Sequence, residues 1–394
     1  MLIRNDPVNA FLGYEHVAVA HAEEGPLKGL TFGVKDLYDV AGYPTGAGSP
    51  LKATESPVHS VSAPIVQVML DAGAEFVGKT QTDELAFSLN GQNMHFPEPI
   101  NVRAEGRITG GSSSGSAAAV AAGLCDFALG SDTGGSIRAP GSYCGLWGIR
   151  PTHERVSLDG VSPLAPSLDT PGYFADSPEI FGRVAPVFLG QDNAPVRPTR
   201  LLIAEDAFAL LLSDREAAAL APARNRITDH FEIVEPVTIS REGLYDWYST
   251  FRHIQAFEAW REHGAWIQAR NPVMTPGVRD RFEFGKGITA EQKAELDAKR
   301  VRQRQRVDEI LEQDTLVLMP SVPSIAPLRD MPFDELQAFR ERALSLLCIS
   351  GLSGAPQVQM PVAELDHCPI GLSLLGPRGS DLSLIEIAIR AASH

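Results

Sequence analysis

The stretch from Gly110 to Arg138 constrains the fold more than any other part of the chain. It opens on Gly110-Gly111-Ser112-Ser113-Ser114-Gly115-Ser116, runs on through Ala117-Ala118-Ala119-Val120-Ala121-Ala122, and reaches Gly123. Alanine is the strongest helix former, and a glycine just past the last alanine is placed to end the helix. The serine cluster is therefore predicted to lie in the turn that opens a tightly packed helix. Residues 127–130 then read as a short buried strand. That strand delivers the chain into a second cluster, Gly130-Ser131-Asp132-Thr133-Gly134-Gly135-Ser136-Ile137-Arg138.

The flanking sequence extends this pattern. Residues 29–40 are apolar and β-branched enough to form a strand that enters a loop, with Lys35 near the strand end. Residues 64–72 carry Ile65, Val66, Val68, Met69 and Leu70 at helical spacing behind Pro64, which suits a first helical turn. Residues 74–78 read as a strand after a glycine turn. Helix, turn and strand in alternation point to an α/β layout. Residues 190–315 are richer in charge and helical pattern, with surface helices expected over 219–231 and 290–311. This segment is expected to be a variable, mainly helical cover over one side of a single domain spanning 1–394. A buried strand is expected at 316–320, and strand-like runs over 345–390.

Composition narrows the function classes. With 394 residues, 44% hydrophobic and 21% charged, the chain can bury a sizeable core. A formal charge of −15 repels phosphate backbones, so nucleic acid is not expected as a direct partner. The basic run Arg300 to Arg306 reads as a solvated helix face. Four scattered cysteines, none at CxxC spacing, fit a reduced cytoplasmic protein rather than a disulfide framework. They give no metal-site pattern, and no cofactor is expected. The N-terminal residues 1–7 lack the apolar core of a signal peptide, and no apolar run is long enough to span a membrane.

The clusters suggest acyl transfer without histidine. Amide hydrolysis needs a nucleophile, a base and donors for a developing oxyanion. Glycines let successive N–H groups converge, so the amides of Thr133, Gly134, Gly135 and Ser136 form a candidate oxyanion hole with Ser136 as nucleophile. Lysine can act as the base if burial makes it neutral near pH 7, and Lys35 lies on an apolar strand. A second hydroxyl, that of Ser112, can donate and accept at once and so relay a proton. Asp132 and Arg138 read as an ion pair supporting the loop, with Asp169 as scaffold. His95 and His153 read as satisfied loop histidines and Cys144 as a buried, inert thiol. Taken alone, the first cluster could be a flexible linker. A phosphate loop would need the Gly-Lys-Ser/Thr that is missing.

At this point the residues resemble a known family. The stretch from Gly110 through Gly145-Leu146-Trp147-Gly148-Ile149-Arg150-Pro151-Thr152 is similar to the signature region of the amidase signature family. Gly33-Val34-Lys35-Asp36, Ser167-Leu168-Asp169-Thr170-Pro171-Gly172 and Gly354-Ala355-Pro356 resemble further motifs of that family. The resemblance implies a large mixed central β-sheet between helix layers. It also implies Lys35 as base, Ser112 as bridging serine in a cis peptide after Gly111, and Ser136 as the acylated nucleophile. Arg150 and Gly141 depart from the common pattern, and neither is expected to touch the chemistry. The loop 87–93 is expected to border the pocket. The pattern around it is similar to indole-3-acetamide hydrolases and to malonamidases, and both substrate readings stay open. The expected partner is a small-molecule amide, and a homodimer is left open. The rival functions are the glutaminase subunit of an amidotransferase and a catalytically silent binding protein on the same fold.

Overall fold

In a computed structural model that describes residues 5–312 and 314–393, ten strands form one mixed sheet. In chain order they are β1 (Thr31–Lys35), β2 (Glu75–Thr80), β3 (Phe127–Ser131), β4 (Trp147–Arg150), β5 (Pro171–Ala175), β6 (Arg200–Ala204), β7 (Ile233–Val237), β8 (Thr315–Pro320), β9 (Gln357–Leu365) and β10 (Cys368–Leu375). Their spatial order is β2-β1-β3-β5-β4-β9-β10-β8-β6-β7. β1 runs parallel to both β2 and β3. The centre of the sheet is antiparallel, and β8, β6 and β7 run parallel again. The helices used below are α1 (Pro64–Asp71), α2 (Ser114–Ala121), α3 (Arg138–Tyr143), α4 (Asp214–Thr228), α5 (Leu244–Arg270), α6 (Pro276–Lys286), α7 (Ala290–Ile310) and α8 (Phe333–Ser353).

Both faces of the sheet are covered, and the strands show it residue by residue. Successive strand side chains point to opposite faces. Phe127 and Leu129 of β3 join one apolar cluster and Ala128 the other; Tyr173 and Ala175 of β5 join the first and Phe174 the second. The first cluster takes Ile65, Val66, Met69 and Leu70 of α1. The second is filled by Ala117 to Ala121 of α2, whose small side chains let the helix lie close to the sheet. The result is the expected mixed sheet between helix layers. Burial on both faces also explains why β3 reads as a continuous buried run.

Three features differ from the sequence reading. The segment 190–315 does carry α4 to α7, but it also supplies β6 and β7, the far edge of the sheet. Residues 345–353 are not strand-like: they are the last turns of α8, in which every residue from Ala343 to Ser353 is buried. A helix that is buried all round loses the amphipathic period that would reveal it. In the basic run, Arg302 and Arg304 are exposed, but Arg300 turns inward, with Nη1 donating to Ser167 Oγ at 2.9 Å and Nε to the Leu352 carbonyl at 3.1 Å. Residues 1–4 of the N-terminal stretch lie outside the described residues. No described helix is long and apolar enough to cross a membrane.

Candidate active site

β1, β2 and β3 end together at one edge of the sheet, with Lys35, Thr80 and Ser131 as their last residues. The carboxyl ends of parallel strands are where α/β sheets open a crevice. Lys35 is fully buried there, and its Nζ donates to Ser112 Oγ at 2.8 Å, Ser131 Oγ at 2.9 Å and Ser113 Oγ at 3.0 Å. Burial pushes its pKa down from 10.5 to about 7, against the pull of the carboxylates of Asp83, Asp132 and Asp169. A charged lysine donates to all three hydroxyls. A neutral one has a lone pair, so one hydroxyl must turn and donate to it. Ser113 is committed elsewhere, because its hydroxyl donates to the Ser131 carbonyl at 3.2 Å. Ser112 Oγ and Ser131 Oγ have no second partner among the described residues, and either is free to make that turn.

Ser112 is held by its backbone. The Gly111–Ser112 peptide is cis. Gly111 N–H donates to the Leu89 carbonyl at 2.9 Å, and Asp83 N–H donates to the Ser112 carbonyl at 3.1 Å. The Asp83 carboxylate lies over Gly111 so closely that a Cβ there would stand 2.4 Å from Oδ2, so the position requires glycine. Asp83 is itself buried. Its Oδ2 accepts from Gly91 N–H at 2.9 Å and its Oδ1 has no hydrogen-bond partner among the described residues. Burial pushes its pKa up.

Ser136 sits in the turn between β3 and α3, and Asp132 organises that turn. Asp132 Oδ1 accepts from Gly135 N–H at 2.8 Å and from Arg138 Nη2 at 2.7 Å; Oδ2 accepts from Ile137 N–H at 3.1 Å and Arg138 Nε at 3.0 Å. Burial alone would raise the pKa of Asp132, but Arg138 and then Arg150 hold it well below the usual carboxylate range. One expected oxyanion donor is thereby corrected: the Gly135 amide is engaged by this carboxylate and is not free for a substrate oxygen. The amides of Thr133, Gly134 and Ser136 have no acceptor among the described residues. The Ser136 side chain keeps 5% exposure, where Lys35, Ser112 and Ser113 have none. Its hydroxyl makes no hydrogen bond with any described residue. The Ser112–Ser136 link needed for a relay is therefore not formed, and such bonds often tighten only in a substrate complex.

Arg150 proves closer to the chemistry than its sequence context suggested. It is fully buried, its Nη1 donates to the Asp132 carbonyl and at 3.4 Å to the Thr133 carbonyl, and its Nη2 donates to the Leu168 carbonyl at 2.8 Å. It clamps the backbone from which the candidate oxyanion donors project. Asp169 accepts from Thr133 Oγ1 at 2.6 Å and from the amides of Leu164 and Ala165. The histidines stand apart from the serines: His95 Nε2 lies 3.2 Å from Glu84 Oε1, and His153 Nε2 lies 3.1 Å from the Pro166 carbonyl. Cys144 is buried, with its thiol pKa pushed up by burial. Sequence reasoning missed Ser113, Ser131 and Asp83. The serines stood in the quoted clusters, but nothing in a Ser/Gly run says which hydroxyls converge.

The chain matches the family described as Amidase over residues 13–210. It is 35% identical over 416 residues to Amidase 1 of Arabidopsis thaliana, covering 97% of this chain and 98% of that protein. A solved structure described as an amidase superimposes with a TM-score of 0.83 at 28% identity, over 93% of this chain and 84% of the other. A component of the glutamyl-tRNA(Gln) amidotransferase of Thermotoga maritima superimposes with a TM-score of 0.81 at 26% identity, over 98% of this chain and 87% of the other. The chain belongs to the amidase family. It is an amide hydrolase.

Proposed function

We propose that this enzyme hydrolyses a small carboxylic amide through a seryl acyl-enzyme, with Ser136 as nucleophile, Ser112 as proton relay and Lys35 as base. The observation that carries the reading is the amine of Lys35: fully buried, held near neutrality with a pKa of about 7, and 2.8 Å from a hydroxyl with no other partner among the described residues. Ser136 Oγ attacks the amide carbonyl carbon while its proton passes to Ser112 Oγ and the Ser112 proton passes to Lys35 Nζ. The carbonyl oxygen takes the negative charge and is met by the free amides of Thr133, Gly134 and Ser136. The proton returns by the same path to the departing nitrogen, the C–N bond breaks, and ammonia or an amine leaves a Ser136 ester. Water then attacks the ester carbonyl, giving up its proton along the path, and releases the acid. Asp132, Arg138 and Arg150 hold the turn, and Gly111 admits the Asp83 carboxylate over the relay serine. The four buried, unpaired cysteines support a reducing, cytoplasmic setting.

The test is ammonia release over aliphatic, arylalkyl and dicarboxylic amides. Wild type should turn over at least one class and Ser136→Ala none, with unchanged melting. Release of ammonia by Ser136→Ala at wild-type rates would overturn the nucleophile assignment.

A further inference from the structure

We propose that the enzyme selects amides carrying a carboxylate remote from the scissile bond, and that Arg281 and Arg340 receive that carboxylate; this rests on the amide-hydrolase reading above. The two guanidiniums line one cavity of about 240 Å³, enclosed by α5, α6, α8 and Phe87. The cavity adjoins the nucleophile turn. Leu344 is part of its wall, and a Cβ built on Gly134 would stand 3.3 Å from Leu344 Cδ2. Phe87 forms another part of the wall, in the loop that begins with Asp83 above Gly111.

Neither arginine has an ion-pair partner among the described residues. Arg340 is only 8% exposed, and its Nε finds no hydrogen-bond acceptor among the described residues. Arg281 uses Nε on the Phe87 carbonyl at 2.6 Å and stacks over the Phe87 ring. The acids at the cavity do not neutralise the pair. Glu341 lies 3.8 Å from Arg252 and accepts from the Tyr248 hydroxyl at 3.5 Å, and Asp280 is exposed at the rim. Arg340 repels Arg281 while Asp83, Tyr248 and Asp280 attract it, and Tyr248 and Glu341 attract Arg340 against repulsion by Arg252, in neither case as an ion pair. Two neighbouring cations, one buried and one half-buried, with no ion-pair partner among the described residues are a standing cost to the fold. A planar carboxylate removes it, accepting from both forks at once. Phe284 and Phe333 complete the wall with apolar surface suited to the methylenes between carboxylate and amide.

The experiment compares kcat/KM for succinamate and glutaramate with that for butyramide and valeramide, in wild type and Arg340→Met. It also reads the Tm of both proteins with and without glutarate. Charge-assisted hydrogen bonds of this kind support a preference of about 10- to 100-fold. The expected result is such a preference in wild type, mainly in KM, falling toward unity in Arg340→Met. Glutarate should raise the Tm of wild type and not that of the variant. Arg340→Met itself should melt higher than wild type without ligand, because an unpartnered buried charge has been replaced by an apolar side chain. Equal rates on acidic and neutral amides, or a preference that survives the substitution, would overturn the carboxylate assignment and leave the amidase reading intact. If none of the four is hydrolysed while an arylalkyl amide is, the carboxylate assignment is overturned and the amidase reading stands; if no amide of any class is hydrolysed, the glutarate Tm shift alone decides this proposal, and no shift overturns it.

Discussion

The residue on which most depends is Lys35, and its charge ties activity to stability. A lysine in the unfolded chain titrates near 10.4, and in the fold burial brings Lys35 down to about 7. Between those values the unfolded state binds more protons, so native stability rises with pH across that window, and below pH 7 the full cost of the buried charge is present. Lys35→Met should therefore show its greatest stability relative to wild type below pH 7, with the difference shrinking as pH climbs from 7 toward 10.4. Paired melting curves across that range check the sign; a difference that grows with pH would contradict the buried, depressed amine. Lys35 and Ser112 stood out in the sequence through motifs that resemble those of the amidase signature family, and Lys35 also through its place on an apolar strand. Ser131, Ser113 and Asp83 did not. The first two are anonymous within serine-rich runs, and Asp83 reaches the relay serine only because β2 delivers the following loop over Gly111.

At the scale of elements, the nucleophile turn is a short connection between a buried strand and a six-residue helix, and it is held by side chains from elsewhere in the chain. Arg150, the last residue of β4, contributes donors to three carbonyls and faces Asp132 at 3.3 Å. Removing one partner from a buried charged network commonly costs about 3–5 kcal/mol, because the other charge is left uncompensated. Arg150→Met should lose stability on that order and should lower kcat more than it raises KM, since it releases the backbone that carries the Thr133 and Gly134 amides. Chemical denaturation and steady-state kinetics read the two effects separately. An unchanged kcat in a folded variant would remove Arg150 from any positioning role. Strands β1, β2, β3 and β8 and helices α1, α2, α4 and α7 were legible to within a few residues, because they are bounded by proline, glycine or clear periodicity. The edge strand β7 was hidden: four of its five residues are exposed and it carries Pro236, which only an edge position tolerates.

For the whole molecule, the segment 190–315 is more than a cover. It completes the sheet through β6 and β7, and it sends Phe251 of α5 against the nucleophile turn, where a Cβ on Gly134 would stand 2.7 Å from the Phe251 ring. We propose that residues 1–394 unfold as one cooperative unit. Calorimetry should give a single transition, and two separable transitions would contradict the proposal. The amidase signature motifs pointed to an amide hydrolase and to the mixed sheet. They said nothing of the arginine-lined cavity, whose residues come from α6 and α8, outside those motifs.

We propose that a neutral Lys35 amine activates Ser136 through Ser112. The most direct measurement is the pH dependence of covalent labelling by a fluorophosphonate, followed by peptide mass mapping. The label should map to Ser136, its rate should rise with pH through a midpoint near 7, and in Lys35→Ala it should fall by orders of magnitude. A label on another residue, or a rate that is flat with pH and indifferent to loss of Lys35, would contradict the account.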